Sequence, residues 1–426
     1  MTTTRGPRRS RPSARWPPTA SASSSTAAAG WRATEERARF AAEGRGWVVR
    51  LKMPREGTLV IADQIRGDVE FGWSQEQDHV IQRSDGSFIY HLANVVDDFD
   101  FGITHVIRAE DHLSNTPRQI FMVQALGYPI PVYAHVPIVA EPGSRRKLSK
   151  RKLGQYLKNP DFAKIHEHGM QIARAMKLDA NLETFNPVVV DFYEQVGYLP
   201  DAIVNYFVLL GWSLDDRTEI LSRAEMIASF GLERVSQGPA SLDVQKLSAF
   251  QAHYMKSVPL DEKVNRSLTY LRRARLVAEG DERPETLRHV ARVIEACGDR
   301  IKVFGDILLQ GAFFFGDEVP AWDEKAFARR IQAAPGAALL LADYRAWLAG
   351  RPPAVWDSAA ELERETQEFL AGRGKALGDL VHALRVATTG VAAGPGLFEC
   401  LSVLGPAVAL TRIDRALARA SSQPNR

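Results

Sequence analysis

Cysteine is nearly absent from this chain. Only Cys297 and Cys400 occur among the 426 residues, far apart in sequence. Two cysteines exclude a disulfide framework and a multi-cysteine zinc site, so no zinc is expected, and this usage is typical of a reducing cytoplasm.

Long apolar runs and a strong excess of one charge are also missing. The longest nearly unbroken apolar stretch, 203–212, is interrupted by Asn205 and is too short to span a membrane. Lys and Arg number 54 against 51 Asp and Glu, so contact with nucleic acid must come from local patches. The length is enough for roughly two to four globular domains.

The first thirty residues differ in composition from the rest. They contain five Arg and no acidic residue among Ser, Thr, Ala, Pro and Gly. Such a leader is a mitochondrial transit peptide, a disordered tail or the product of a misassigned start. We favour the last two for a reason given below.

Residues 104–140 have the pattern of a βαβ unit. The letters predict a strand over 104–112, a helix over 114–127 capped by Ser114 or Asn115, and a second strand over 132–140. Ligands of open α/β sheets bind at the carboxyl ends of strands, so we expect a site where these two strands end.

The flanking segments have other patterns. Residues 47–90 contain short strands and turns, with a hairpin signal at Asp85-Gly86. Residues 153–187 are polar and helix-like without a clear apolar face, and we interpret them as an insertion. The later sequence has a helical apolar period, for example at Leu260, Val264, Leu268 and Leu271.

A basic loop, "EPGSRRKLSKRK", follows the second strand and holds six Lys and Arg in its twelve residues. Lys147 and Lys150 are three residues apart, so both could face one polyphosphate, while Ser149 and backbone N–H groups add donors. The alternative is a solvated basic turn.

Several motifs occur in register around this loop. Together they closely resemble the second half of the catalytic domain of bacterial glutamyl-tRNA synthetases, which are class I enzymes. "KLSKR" resembles the KMSKS signature of that class. The motifs are "YHLANVVDD" (90–98), "ITHVIRAEDHLSNTPRQ" (103–119), "AHVPIV" (134–139), "KLSKR" (147–151), "YLPDAIVNYFVLLGWS" (198–213), "SLDVQKLSAFQAHYM" (241–255) and "LRVATTGVAAGPGLFECLSVLG" (384–405).

The resemblance implies an α/β plus all-α chain, with a partial Rossmann-type class I catalytic domain followed by an α-helical anticodon-binding domain. The expected divisions are a leader (1–30), a partial acceptor-stem-binding insertion (31–95), the second half of the catalytic domain (96–152), an insertion (153–187), a stem-contact helical region (188–255) and the anticodon-binding domain (256–426).

The resemblance also implies substrate contacts. Tyr90, Asn94 and Arg108 match residues that bind glutamate, and a guanidinium is well suited to a two-pronged grip on a carboxylate. The alternative for Arg108 is a salt bridge with Glu110 or Asp111.

ATP would contact residues of the loop and of the preceding strand end. Lys147 and Lys150 are the expected catalytic residues, with Lys150 favoured. A capping or packing role is the alternative for His112. The expected ATP-binding residues are Lys147, Ser149, Lys150, Arg151, Glu110 and His112.

No metal site is expected in the protein itself, because Mg²⁺ would arrive with the nucleotide. Asp97 and Asp98 suggest a metal site by composition, but we interpret them as turn or helix-capping residues.

The helical tail resembles the anticodon-binding domain of the bacterial enzyme. Arg272, Arg273 and Arg275, predicted to share one helix, are candidate phosphate contacts, with a solvated helix face as the alternative. Trp212 is expected in the core rather than as a base-stacking platform.

The family pairs its KMSKS loop with an N-terminal HIGH-type motif, and neither His-x-Gly-His nor His-x-Gly-Gly occurs in the printed sequence. We therefore expect a misassigned start or a truncated gene, and the chain as printed to be inactive. This expectation is why a transit peptide is disfavoured.

The resemblance predicts a cytoplasmic, monomeric glutamate–tRNA ligase without membrane contact. It would use ATP with Mg²⁺, L-glutamate and tRNA(Glu). The alternatives are a non-catalytic tRNA-binding remnant and a non-discriminating synthetase that also charges tRNA(Gln). A shorter paralogue that glutamylates a modified tRNA base is disfavoured, since it lacks the helical tail.

Overall fold

A computed structural model describes residues 34–142, 144, 146–215 and 217–422, without the side chains of residues 34–37 and of Lys150. The predicted leader therefore lies outside the described residues. The described chain forms two compact units. The first comprises the described residues up to 61 together with 69–104 and 114–131. The second comprises residues 62–68, 105–113 and the described chain from 132 onward.

The elements follow in chain order. The strands are β1 (Val49–Leu51), β2 (Thr58–Asp63), β3 (Gly67–Gly72), β4 (His79–Gln82), β5 (His105–Ala109), β6 (Val132–Val136), β7 (Val139–Ala140) and β8 (Ala240–Ser241). The helices are α1 (Thr34–Ala42), α2 (Tyr90–Asp100), α3 (Thr116–Ala125), α4 (Leu153–Tyr156), α5 (Pro160–Ala175), α6 (Val190–Val196), α7 (Pro200–Val208), α8 (Arg223–Ser229), α9 (Val244–Ser257), α10 (Leu260–Arg273), α11 (Pro284–Cys297), α12 (Asp306–Gln310), α13 (Glu324–Phe327), α14 (Ala337–Leu348), α15 (Pro353–Trp356), α16 (Ala359–Ala371), α17 (Leu377–Thr389) and α18 (Leu397–Ser422).

The first unit has a small core between α2, α3 and the antiparallel pair β1–β4. Val95, Met122 and Val123 are buried there, with Leu51 and Ile81 packed against them. The predicted hairpin turn after β4 is confirmed, because the chain reverses at Asp85-Gly86 and Gln82 pairs antiparallel with Phe88.

A four-stranded sheet has the order β3-β2-β6-β5. β5 and β6 run parallel, with Arg108 opposite His135 in the register. Burial alternates along β2, so that Leu59, Ile61 and Asp63 point to its buried side. An acidic residue at a core position requires partners, and the site described below supplies them.

The βαβ prediction is confirmed with two local corrections. β5 ends at Ala109 rather than at residue 112, because Glu110–Asn115 form a 3₁₀ turn. Asn115 is the N-cap residue of α3, but its side chain makes no capping hydrogen bond, so the predicted side-chain cap is wrong.

Residues 153–187 do have an apolar face, and the contrary expectation was wrong. Phe162 and Ile172 of α5 are fully buried in the core of the second unit. A side chain at Gly169 would clash with Phe192, so α5 and α6 pack closely. His168 Nε2 lies 2.6 Å from Asp306 Oδ1, which joins α5 to α12.

The rest of the second unit is helical around the same continuous core. The predicted apolar face of α10 is confirmed for Val264, Leu268 and Leu271, while Leu260 at its start is 38 % exposed. Near the end of the chain, α18 is kinked at Gly405, which has φ 72° and precedes Pro406. No helix in the described ranges is long and apolar enough to cross a bilayer.

Candidate active site

The carboxyl end of the parallel pair β5–β6 brings Arg108 beside His135. Arg108 Nε donates to His135 Nε2 at 3.2 Å. The Arg108 guanidinium carbon also lies 5.7 Å from the centre of the Tyr133 ring. The guanidinium is therefore held by an imidazole on one edge and an aromatic ring nearby.

Asp63 is the residue that holds His135 in place. It is only 4 % exposed, and its Oδ2 lies 2.6 Å from His135 Nδ1. The backbone N–H groups of Ile65 and Arg66 donate to Oδ1 at 3.0 and 2.9 Å. Burial raises the pKa of Asp63, but these hydrogen bonds outweigh it, and the pKa is lowered overall.

Arg66 connects Asp63 and His135 to the turn after β5. Its Nη2 lies 2.5 Å from Glu110 Oε2, and its Nε donates to the His135 carbonyl at 3.3 Å. Glu110 Oε1 also accepts from the Ile138 N–H at 3.4 Å. Glu110 therefore ties the end of β5 to the segment that follows β6.

The basic loop contacts the same turn through its first lysine. Lys147 Nζ lies 2.5 Å from Asp111 Oδ2, in a partly exposed ion pair. The hydrogen bond from Lys147 holds the pKa of Asp111 below its ordinary value. Glu110 is thus paired with Arg66 and Asp111 with Lys147, and the salt bridge considered for Arg108 stays a prediction.

Backbone and side-chain bonds anchor the loop at both ends. Leu148 N–H donates to the Val139 carbonyl at 2.9 Å, which closes the loop as a short hairpin. The Ser149 N–H donates to the Tyr156 hydroxyl at 3.0 Å, and Lys152 Nζ to Glu141 Oε1 at 2.7 Å. The 3₁₀ turn Lys150–Lys152 then leads into α4.

The predicted glutamate contacts are divided between the units. Tyr90 and Asn94 lie one turn apart on α2 of the first unit. Tyr90 is 57 % exposed, and Asn94 Oδ1 accepts from Gln119 Nε2 at 3.0 Å. Arg108 belongs to the second unit.

The predicted ATP residues all belong to the second unit. His112 is half-buried on the turn after β5, and Arg151 is exposed. The roles of these residues stay predictions. Sequence reasoning missed Asp63, Arg66 and His135, although an acid on the buried side of an alternating strand was a usable signal for Asp63.

The interpretation of Asp97 and Asp98 as turn or helix-capping residues is wrong. Asp97 and Asp98 lie inside α2, which runs to Asp100, so neither is a turn or cap residue. Among the described residues, no group of three or more His, Cys, Asp or Glu could hold a metal ion.

The basic residues of the helical tail are only partly where we expected them. Arg272 and Arg273 end α10, but Arg275 lies beyond the helix with φ 61°, which corrects the single-helix expectation. Arg272 Nη2 donates to the Asp281 carbonyl at 3.1 Å. The core position of Trp212 is confirmed, since it is 4 % exposed beside Leu221.

Two family models match the chain. One, described as "tRNA synthetases class I (E and Q), catalytic domain", matches residues 10–178 and 183–249. The other, described as "Anticodon binding domain", matches residues 263–417. These matches confirm the predicted fold class of a class I catalytic domain followed by a helical anticodon-binding domain. The finer domain boundaries stay predictions.

Individual proteins agree with the family models. The chain is 38 % identical over 382 residues to the glutamate–tRNA ligase of Moorella thermoacetica, covering 89 % of this chain and 70 % of that protein. It is 36 % identical over 380 residues to the glutamate–tRNA ligase of Thermobifida fusca, covering 88 % and 70 %.

A solved structure is similar over the same extent. The crystal structure of a glutamate tRNA ligase from Elizabethkingia meningosepticum, in complex with its amino acid, has a TM-score of 0.70 and 25 % identity, and covers 90 % of this chain and 71 % of that one. Because the catalytic-domain model matches more than half of the chain and the relatives match most of it, the chain belongs to the class I aminoacyl-tRNA synthetase family of glutamyl and glutaminyl enzymes.

Proposed function

We propose that this chain is a glutamate–tRNA ligase that uses ATP, as class I synthetases do. The observation that carries the proposal is a fixed guanidinium, Arg108, at the carboxyl end of a parallel strand pair, in the same unit as the basic loop. An oriented cation suits the carboxylate of an amino acid, and a lysine-rich loop suits a triphosphate.

The reaction has two steps. A carboxylate oxygen of glutamate attacks the α-phosphorus of ATP, the bond to the β-phosphate breaks, and pyrophosphate leaves. The 3′-terminal ribose hydroxyl of tRNA then attacks the activated carbonyl, and AMP leaves. Positioning and electrostatic stabilisation supply the catalysis, without a covalent enzyme intermediate.

The roles are proposed as follows. Tyr90, Asn94 and Arg108 bind glutamate. Mg²⁺ bound with the nucleotide supplies charge neutralisation on the phosphates and needs no dedicated protein cage. The ATP contacts are Lys147, Ser149, Lys150, Arg151, Glu110 and His112.

The protein would be a cytoplasmic monomer that binds tRNA(Glu) through its helical domain. Discriminating and non-discriminating forms are separated by charging tRNA(Glu) and tRNA(Gln) side by side. Product with both tRNAs identifies the non-discriminating form.

The decisive measurement is glutamate-dependent exchange between ATP and pyrophosphate, with tRNA present. Exchange by the 426 residues supports the ligase and contradicts the expectation that the chain as printed is inactive. Binding of tRNA that weakens steeply with salt, without exchange, supports the non-catalytic alternative.

Arg108→Ala should raise the KM for glutamate about tenfold to a hundredfold, because a lost charge-assisted contact costs about 1.5–3 kcal/mol. The KM for ATP should change by less than about twofold, because the guanidinium is assigned to the carboxylate alone. Exchange kinetics with each substrate varied in turn measures both. Arg151→Ala, an exposed arginine assigned to ATP, is the opposite control. Equal losses for both substrates in Arg108→Ala would refute the carboxylate grip.

Asp111→Asn should lower the KM for ATP by up to about fivefold, because the pair with Asp111 competes with phosphate for Lys147 and an exposed pair is worth about 1 kcal/mol or less. Stability should hardly change for the same reason. Exchange kinetics with ATP varied, together with urea unfolding, checks both results. Asp179→Asn removes an exposed carboxylate elsewhere in the same unit and serves as the matched control. A higher KM for ATP would mean that Asp111 itself binds the nucleotide.

A further inference from the structure

His135 has no assigned role in the reaction, yet it lies against the residue proposed to bind the amino acid. The side chain is completely buried. Its Nδ1 lies 2.6 Å from Asp63 Oδ2, and its backbone N–H donates to the same carboxylate at 3.1 and 3.2 Å. Main chain and ring are thus fixed by a single buried carboxylate.

The contact between Asp63 and His135 Nδ1 determines which nitrogen of the ring carries the proton. An ionised carboxylate only accepts hydrogen bonds, so the proton of the neutral ring lies on Nδ1. Nε2 then carries the lone pair and faces Arg108 Nε, which can only donate, at 3.2 Å. The three groups form one directional chain, in which Arg108 donates to His135 and His135 donates to Asp63.

Two further features keep the ring and the guanidinium in place. The Tyr133 and His135 rings are stacked, 6.1 Å apart with 6° between their planes. Asp63 also accepts from the backbone of Ile65 and Arg66 at the turn after β2, so it cannot follow a moving ring without breaking these bonds.

We propose that His135 is a positioning residue for the amino acid: locked by Asp63 as the Nδ1–H tautomer, it holds the Nε edge of Arg108 and so orients the guanidinium toward the substrate carboxylate. This inference rests on the proposed function through Arg108. A bidentate contact with a carboxylate needs the planar guanidinium in one orientation. An arginine that is not held in that orientation loses conformational freedom on binding, which weakens its affinity for the substrate.

The charges around the ring agree with this chain. Burial lowers the pKa of His135; the Asp63 carboxylate opposes the shift, while the nearby charges of Arg108 and Arg66 add to it. The ring therefore stays neutral at physiological pH. Protonation would place a second N–H against the Arg108 donor and break the chain.

Two substitutions separate the two ends of the ring. His135→Asn keeps a donor near Asp63 and removes the acceptor for Arg108, whereas His135→Gln places an amide oxygen near the Nε2 position and gives up the Asp63 end. We expect the KM for glutamate in tRNA-dependent pyrophosphate exchange to rise about tenfold in His135→Asn and only about threefold in His135→Gln, with the KM for ATP within about twofold in both. His289→Asn, which removes a half-buried ring bonded to the Phe314 carbonyl, is the control for general damage.

A second measurement does not depend on activity. In the ¹⁵N-labelled 426-residue chain, the His135 resonances, assigned by their loss in His135→Gln, should show a neutral Nδ1–H ring that is protonated only at a pH below that of an ordinary histidine, because burial lowers its pKa. The Arg108 Nε–H resonance should be protected from exchange in the wild type, retained in His135→Gln and lost in His135→Asn.

The outcomes separate the inference from the proposed function. Wild-type chain without glutamate-dependent exchange would count against the proposed function, and the resonances then decide the His135–Arg108 chain by themselves. A ring protonated on Nε2, or equal effects of His135→Asn and His135→Gln on both KM values, would overturn the positioning role.

Discussion

Lys150→Ala should lower the rate of glutamate activation about 100- to 1000-fold, the size seen when one donor to a developing charge is removed. The lysine stands at the start of the 3₁₀ turn Lys150–Lys152, three residues after Lys147. The negative charge that develops on the leaving pyrophosphate needs a cation at this position. Lys147 is already paired with Asp111, so we do not expect it to supply this charge by itself.

The loop should keep its shape without this lysine. Leu148 packs against the core, and the bonds of Leu148 and Ser149 to Val139 and Tyr156 are made by the backbone. We therefore expect little change in the free energy of unfolding. Single-turnover formation of glutamyl-adenylate measures the rate, and urea unfolding measures the stability.

Lys158→Ala is the matched control, because it removes an exposed lysine of the same segment. It should leave the activation rate within about twofold, as expected for a surface substitution away from the site. A Lys150→Ala variant that activates glutamate as fast as the wild type would make the loop a bystander.

Arg412→Ala should destabilise the helical region by about 3–5 kcal/mol, as removal of one partner from a buried charged network does. The side chain is fully buried on α18. It donates to the carbonyls of Phe313, Gly316 and Thr388 at 2.6, 2.5 and 2.7 Å. Burial lowers its pKa to about 10, so the guanidinium is still charged at neutral pH.

The expected loss has two sources. The three carbonyls lose a charged donor at a site that water does not reach in the folded chain. The removed side chain also leaves a cavity. The contacts join α18 to the end of α17 and to the segment 313–316, so the loss should be felt across several elements.

Arg415→Ala, one turn along the same helix, provides the comparison. Its side chain is 44 % exposed and pairs with Glu318, which predicts a loss of about 1 kcal/mol or less. Urea unfolding followed by circular dichroism compares the two variants. A small effect of Arg412→Ala, equal to that of Arg415→Ala, would mean that water or other donors satisfy the carbonyls.

The sequence by itself determined the local elements and the family. The strand–helix–strand pattern of β5, α3 and β6, the turn at Asp85-Gly86 and the buried Trp212 were all readable from apolar spacing and turn residues. Motifs in register then carried the resemblance that the comparisons support. These signals are local, because each depends on neighbours within a few positions along the chain.

The weak apolar pattern of α5 was misread for the same reason. Its letters contain His, Glu, Lys and Gln, and its buried face is narrow, with Gly169 at the closest contact to Phe192. A glycine at a tight helix crossing has no hydrophobic signature, so the periodicity did not reveal that 153–187 belongs to the core.

Only the tertiary structure decided which polar groups meet. Asp63 and His135 are 72 positions apart, Asp111 and Lys147 are 36 apart, and Arg412 reaches carbonyls almost 100 positions away. Spacing along a strand or helix indicates which side of an element is buried, but not which distant group satisfies a buried charge. The pairing follows from the sheet register and the helix packing, and these are properties of the whole fold.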